Sequence, residues 1–108
     1  MVKTHSKDVA IVIFVPKSHA DIMRDALSRA GAGKIGNYSH CSFSTQGIGR
    51  FIPQEGATPF IGKEEKPEEV AEERIETFCP QNILKKVIEE VKKVHPYEEP
   101  VIHVYPLI

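Results

Sequence analysis

The hexapeptide HPYEEP at residues 95–100 places an imidazole, a phenol and two carboxylates within one short segment. The side chains of His95, Glu98 and Glu99, together with His103 on the following predicted strand, are of the kinds that bind zinc or copper. Four ligands at a recognised spacing are absent, however, and adjacent glutamates in an extended chain point in opposite directions. Three hypotheses for the role of this segment follow, in decreasing order of support. It is an architectural or interface-forming corner, a contact for a small ligand, or a metal site.

The architectural hypothesis for the 95–100 segment follows from its position after a helical pattern. His95 falls in the last predicted turn, where an imidazole meets the negative end of the helix dipole. Pro96 cannot continue a helix, and Pro100 favours an extended residue before it. Tyr97 is then expected to pack over the end of the helix.

A second candidate is the glycine-rich stretch at residues 31–38, where Gly31, Gly33 and Gly36 have the spacing of a dinucleotide fingerprint. That fingerprint binds phosphate only when it follows a strand and opens a helix. Here it follows a helix and precedes a strand, so a helix cap and tight turn are favoured. A backbone-amide nest for a small anion is the alternative, with Asn37 and Tyr38 beside it.

Three further side chains are of types that can do chemistry, those of His40, Cys41 and Arg50. His40 and Cys41 are neighbours on a predicted strand, so they face opposite sides and Cys41 is expected to be a small buried residue. Arg50 could bind a phosphate or carboxylate ligand, or form a surface pair with Glu55. The sequence places no base near a nucleophile, and it therefore predicts no catalytic residue.

Hydrophobic periodicity predicts the elements that position these residues. Strands are predicted at residues 9–15, 38–45 (with 47–51 continuing or pairing back), 70–78 and 101–107. Helices are predicted at residues 18–30, capped by Ser18 with Asp21, and at 81–94. A proline- and glycine-punctuated excursion at 52–67 separates the second and third strands. This order predicts an α+β, ferredoxin-like βαββαβ fold, an antiparallel sheet with two helices on one face, in a single domain over residues 1–108.

The first and last strands are apolar on both sides, and two helices cover only one face of the sheet. A second copy of the same sheet would cover the other face, which predicts self-association, as a homotrimer with the sheets facing inward. The formal net charge of −1 gives no electrostatic reason to expect nucleic acid or an anionic membrane as partner. No signal peptide is recognised, because the apolar run at 9–15 is too short. A cytoplasmic location with reduced cysteines is therefore expected.

Several separated motifs occur in one order along the chain, including GAGKIGNY at 31–38, GxGxFxP at 47–53, GAxPxIG at 56–62 and the HPYEEP segment. Together they resemble the YqfO-type domain of the NIF-three-like proteins. The resemblance implies a fold like those of the PII and CutA proteins, which are trimers. It also implies that the longer proteins carry their metal ligands in a surrounding domain that this chain lacks, so neither a metal centre nor hydrolase activity is carried over.

The function predicted is that of a small oligomeric, non-catalytic protein of PII/CutA type that binds a small ligand or acts as a regulatory module, with no cofactor. Its ligand is expected in clefts between subunits, lined by the glycine-rich turn, the excursion and the 95–100 segment. The alternatives are a protein-interaction module, a metal-binding protein and, last, a small enzyme. The residues predicted to contact the ligand are Gly33, Gly36, Asn37, Tyr38, Arg50, His95, Tyr97 and Glu98.

Overall fold

The computed structural model describes residues 7–108 of the chain. Four strands and two helices follow one another in the order β1 (Asp8–Pro16), α1 (Ala20–Arg29), β2 (Phe43–Phe51), β3 (Glu68–Pro80), α2 (Leu84–Val94) and β4 (Ile102–Pro106). The predicted α+β, ferredoxin-like fold is confirmed. Within the described residues, no helix has both the length and the apolar character needed to cross a bilayer.

The four strands form one antiparallel sheet in the order β2-β3-β1-β4. Alternate residues of β1 point to the helices, and they form the core with side chains of both helices: Val9, Ile11, Ile13, Val15, Met23, Leu27, Val87 and Val91. Both helices therefore cover the same face, as predicted. Because β1 pairs with β3 only from Glu72 onwards, residues 68–71 pair with β2 alone and extend the sheet as a two-stranded ribbon.

The opposite side of the sheet, here called the outer face, carries the other set of alternating residues. Val12 is buried in its centre at 2% exposure, whereas Phe43 and Tyr105 are 68% and 49% exposed. Phe14, near one end of β1, is half-buried. Large apolar groups thus remain in contact with solvent on the side away from the helices.

Two sequence predictions about these elements were wrong in detail. The first helix begins at Ala20, and Ser18 does not cap it because its hydroxyl pairs with the ring of His19 at 2.8 Å. The strand predicted from residue 38 begins at Phe43. His40 has a left-handed backbone (φ 59°), which interrupts an extended chain, so the residues before it form a separate loop.

Candidate functional site

A pocket of about 590 Å³ lies beside the 95–100 segment, at the end of the sheet where the ribbon begins. It is bounded by β1, β2, the excursion and the start of β4. We call it the aromatic pocket, after the rings of Phe14, Phe51, Phe60 and Tyr97. The imidazole of His103 also lines it, and Glu72, Glu98 and Glu99 supply its carboxylates. The excursion and the 95–100 segment, which the sequence predicts to line one cleft, lie together here.

His95 lies beneath the pocket and fastens the 95–100 segment to the sheet. Its side chain is 7% exposed, and its Nε2 lies 2.8 Å from the carbonyl oxygen of Phe14. Its Nδ1 lies 3.1 Å from the backbone nitrogen of Tyr97. A carbonyl can only accept and an amide N–H can only donate, so the ring is neutral with its proton on Nε2.

The pKa of His95 is lowered, because burial disfavours the imidazolium form and the hydrogen bond to the Phe14 carbonyl opposes this only in part. His95 is also the residue that follows the last helical residue, with extended backbone (φ −72°, ψ 129°), rather than part of the final turn as predicted. It therefore positions the segment from below rather than lining the pocket.

Tyr97 connects three walls of the pocket. Its hydroxyl donates to Oε2 of Glu72 at 2.7 Å, and its ring lies edge-on to Phe51 with centroids 5.9 Å apart. The pKa of the Tyr97 phenol is raised, first by burial and then by the hydrogen bond to the Glu72 carboxylate. The phenol therefore stays protonated and acts as a donor.

Glu72 reaches Tyr97 because the neighbouring strand has no side chain at Gly49. A Cβ built at Gly49 would collide with the Glu72 carboxylate, whereas one built at Gly47 on the same strand would meet nothing within 4 Å. The glycine thus makes room for the hydrogen bond between the ribbon and the 95–100 segment.

The excursion folds back over the pocket and has defined contacts. The backbone N–H of Thr58 donates to Oε1 of Glu98 at 3.0 Å. Phe60 lies edge-on to the ring of His19, with centroids 5.4 Å apart. The N–H of Glu65 donates to the carbonyl of buried Pro53 at 2.6 Å, which closes the excursion on itself.

Arg50 lines the pocket but is already paired. Its Nε donates to Oε2 of Glu69 at 2.7 Å, and the two residues are direct neighbours across β2 and β3. Of the two alternatives for Arg50, the surface ion pair is formed, but with Glu69 rather than Glu55, because strand register places Glu69 opposite Arg50. Strand alternation also sends the Arg50 side chain to the opposite face from Phe51.

The glycine-rich turn does not reach this pocket. Gly33 donates its N–H to the carbonyl of Phe78 at 2.8 Å, six residues along β3 from Glu72. That separation corresponds to about 20 Å of strand. Gly36 and Asn37 form the tight turn between Ile35 and Tyr38. Within each copy of the chain, the residues predicted to bind one ligand thus fall into two groups. Arg50, Tyr97 and Glu98 line the pocket with His95 beneath it, and the turn group (Gly33, Gly36, Asn37, Tyr38) lies apart.

The glycines of the 31–38 stretch have structural reasons. Gly31, Gly33 and Gly36 all have positive φ, at 108°, 75° and 55°. A Cβ at Gly33 would lie 2.5 Å from the carbonyl oxygen of Cys41. The N–H of Gly33 is used by Phe78, so it is not available to an anion, and the geometry favours the cap-and-turn hypothesis.

The residues considered for metal binding are not assembled into a metal site. Among residues 7–108, no group of three or more His, Cys, Asp or Glu side chains is arranged to hold an ion. His40 and Cys41 lie in a loop rather than on a strand, and Cys41 is partly exposed rather than buried. Cys41 instead borders a second, smaller cavity of about 270 Å³ beside Arg24 and Thr77.

Sequence reasoning missed Phe14, Phe51 and Glu72 as pocket residues. Phe14 and Phe51 were assigned to strands without a common site, because their proximity depends on strand pairing. Glu72 lies on β3, between β2 and β1, so its approach to Tyr97 also depends on how the strands are arranged. The one local signal was Gly49, a glycine inside a strand, which often marks a close approach by another group.

The chain is similar over most of its length to proteins named GTP cyclohydrolase 1 type 2 homolog. It is 52% identical over 97 residues to the one from Halalkalibacterium halodurans and 48% identical to the one from Bacillus subtilis. Each match covers 90% of this chain and 26% of the relative, so the chain spans about a quarter of the length of these curated relatives. No family model matches the sequence.

Solved structures with the same fold fall into two groups. A Bacillus cereus protein related to NIF3 has a TM-score of 0.81 and 46% identity, over 98% of this chain and 27% of that one. The periplasmic divalent cation tolerance protein CutA from Archaeoglobus fulgidus has a TM-score of 0.66 and 21% identity, over 92% of this chain and 82% of that one. The second likeness establishes the fold alone.

Proposed function

We propose that this chain is a YqfO-type domain of the NIF3 group, formed by residues 1–108, that self-associates and binds a small molecule in the aromatic pocket without catalysing a reaction. The observation that carries the proposal is the pocket itself. A space of about 590 Å³ with mostly apolar walls and a few convergent polar groups has the size and character of a small-ligand site.

The pocket's side chains support binding rather than catalysis. Its lining, which falls wholly within the described residues, includes no Ser, Thr, Cys or Lys. The Tyr97 phenol has a raised pKa, stays protonated and donates a hydrogen bond to Glu72, so it is a poor nucleophile. The names of the relatives refer to proteins about four times as long, and cyclohydrolase activity is not part of the proposal.

Binding is tested by titrating a library of cationic, neutral and anionic small metabolites into the ¹⁵N-labelled chain at near-neutral pH. We expect at least one compound to shift amide resonances at 49–61 and 97–103. Resonances around the smaller cavity, near Arg24 and Thr77, serve as the internal control. A library that shifts no resonance of the aromatic pocket would contradict the proposal.

Self-association is proposed to occur through the outer face, as a homotrimer. Phe43 is 68% exposed there, and an apolar ring in water favours burial against another copy. Light scattering should return about three times the chain mass of 12.1 kDa, and Phe43→Ser should dissociate the assembly. Ile48→Ser is the matched control, because Ile48 lies on the same strand, is 59% exposed and faces the other side of the sheet. A wild-type protein of monomer mass would refute self-association.

A second candidate function is docking to a protein partner, and the length of the relatives favours it. This sequence aligns with about a quarter of each relative, so in those proteins it is attached to other segments. The outer face would then contact a partner protein that corresponds to one of those segments. In a pull-down, the immobilised wild-type chain should retain this partner, whereas the immobilised Phe43→Ser variant should not. Recovery of the chain alone would favour the ligand-binding proposal.

A further inference from the structure

We infer that the aromatic pocket takes a small organic cation, an ammonium or guanidinium group carried on an apolar body. This inference rests on the proposed function, because it names the chemical class of ligand for the same pocket. It is carried by two independent properties of the walls, the number of aromatic rings and the sign of the charges.

The rings come from four separate parts of the chain. Phe14 belongs to β1, Phe51 to β2, Phe60 to the excursion and Tyr97 to the 95–100 segment. The negative face of an aromatic ring attracts a cation within about 6 Å of its centroid, and such contacts strengthen where water is excluded. Walls formed by rings on several sides also accept the apolar body of the ligand.

The charges in the lining are mainly negative. Glu72, Glu98 and Glu99 supply three carboxylates. The basic residues of the lining are His103 and Arg50, and strand alternation sends the Arg50 side chain to the opposite face from Phe51. That guanidinium is paired with Glu69, which lies outside the lining. An anionic ligand would therefore approach three carboxylates and would have to displace an existing ion pair to find a cation. A cationic ligand meets complementary charge at once.

Two of the carboxylates are held in place before any ligand arrives. Glu72 accepts the hydrogen bond of Tyr97 at 2.7 Å, and Glu98 accepts that of the Thr58 amide at 3.0 Å. A carboxylate has lone pairs for further donors, so both remain able to accept from an ammonium or guanidinium N–H. Fixing them in advance reduces the entropy lost on binding.

The inference is tested with three probes of similar size that differ in charge: benzyltrimethylammonium, benzyl alcohol and benzenesulfonate. Binding is followed by amide shifts of the ¹⁵N-labelled chain at 49–61 and 97–103. We expect the cation to bind at least about tenfold more tightly than the neutral probe, and the anion to bind more weakly still. The cation's affinity should fall as salt is raised.

The charge contribution is isolated by the double variant Glu98→Gln and Glu99→Gln. Glutamine at residue 98 keeps an oxygen for the Thr58 amide, so the pocket shape is retained while the charge is removed. We expect the ratio of the affinity for the cation to that for benzyl alcohol to fall several-fold, while the affinity for benzyl alcohol itself stays unchanged. Glu64→Gln is the matched control, because Glu64 is exposed in the same excursion and lies outside the lining.

The outcomes distinguish this inference from the proposed function. Equal or tighter binding of benzyl alcohol or benzenesulfonate in the pocket would overturn the cation class and leave small-ligand binding intact. A double variant that keeps the full preference for the cation would overturn the role of the carboxylates. If none of the three probes binds there, the cation class is wrong, and the metabolite library then decides the proposed function separately.

Discussion

The hydroxyl of Tyr97 donates to Oε2 of Glu72 at 2.7 Å, and this contact ties the segment that follows α2 to the middle of β3. The two residues are 25 positions apart in the chain. The bond holds the Tyr97 ring against Phe51, so one wall of the aromatic pocket depends on a carboxylate from another strand. Three of the predictions below concern the groups that support this contact.

Removal of the Tyr97 hydroxyl should destabilise the protein without changing its fold. Tyr97→Phe leaves the ring in place and deprives Glu72 of a donor, which should cost about 1–2 kcal/mol because the acceptor is charged. Urea unfolding followed by circular dichroism measures the loss. Tyr38→Phe is the control, because Tyr38 is 74% exposed, and it should change the free energy of unfolding by less than about 0.5 kcal/mol. Equal effects of the two variants would contradict this account.

A methyl group at residue 49 should displace the Glu72 carboxylate. Gly49→Ala places a Cβ where that carboxylate lies, so the Tyr97 bond breaks or the strands shift. We expect a loss of about 1 kcal/mol, comparable to a lost hydrogen bond. Gly47→Ala on the same strand meets open space, and it should be neutral or slightly stabilising. Combining Gly49→Ala with Tyr97→Phe should give less than the sum, because both act on one bond.

Stability should fall on acidification because of His95. Its pKa is lowered in the folded protein, so below its ordinary value of about 6.5 the unfolded chain binds more protons than the folded one. The contribution of His95 to the free energy of unfolding is therefore largest above a pH of about 6.5. It decreases as the pH falls towards the lowered pKa that His95 has in the folded protein. The steepest slope for one such group is about 1.4 kcal/mol per pH unit.

His95→Gln should flatten this part of the pH profile, measured by urea unfolding between pH 7.5 and 5, while lowering stability throughout. His40→Asn provides the comparison, because it removes an exposed imidazole and asparagine tolerates the left-handed backbone at that position. A profile that keeps its slope in His95→Gln would show that another group is responsible.

The contact between Thr58 and Glu98 should protect one amide of the excursion from hydrogen exchange. Glu98→Ala removes the acceptor, and the Thr58 amide should then exchange at least about tenfold faster, as expected for an exposed loop amide without a partner. Glu99→Ala is the control, since the neighbouring carboxylate does not accept this hydrogen bond. Retained protection of Thr58 in Glu98→Ala would mean that other contacts of the excursion suffice.

The two cysteines should differ in reactivity. Cys79 is fully buried, and burial raises the pKa of its thiol, with Asp8 adding to the effect. Cys41 is partly exposed in its loop. Dithionitrobenzoate should therefore modify one thiol rapidly in the native protein and the second only on unfolding. Cys41→Ser should abolish the rapid phase, and its persistence in that variant would refute the assignment.

Much of the fold could be predicted because its elements have strong local periodicity. The apolar run at residues 9–15 and the apolar stripe at 81–94 predicted β1 and α2 to within a few residues. The predictions failed where residue type alone does not decide the local conformation. Ser18 has the side chain of a helix cap but bonds to the side chain of its neighbour, and a positive φ such as that of His40 is uncommon even for histidine.

The candidate site could be predicted only in part. The 95–100 segment and the excursion were recognised as its components, because proline and glycine spacing marks both. Their partners were not: Arg50 pairs with Glu69 through strand register, and Glu72 enters the pocket because Gly49 leaves space for it. Register and space across strands are properties of pairs of segments, so a single segment does not reveal them.

By itself, the sequence determined the order of elements, the two-sided apolar character of β1 and the end of α2 at the 95–100 segment. These depend on interactions between residues close in the chain, where period and proline geometry decide the outcome. The tertiary structure alone decided that Phe14, Phe51, Glu72 and Tyr97 share one pocket and that the glycine-rich turn lies about 20 Å of strand away. The reason is that antiparallel pairing joins distant positions, and a shift of one residue would send each side chain to the other face.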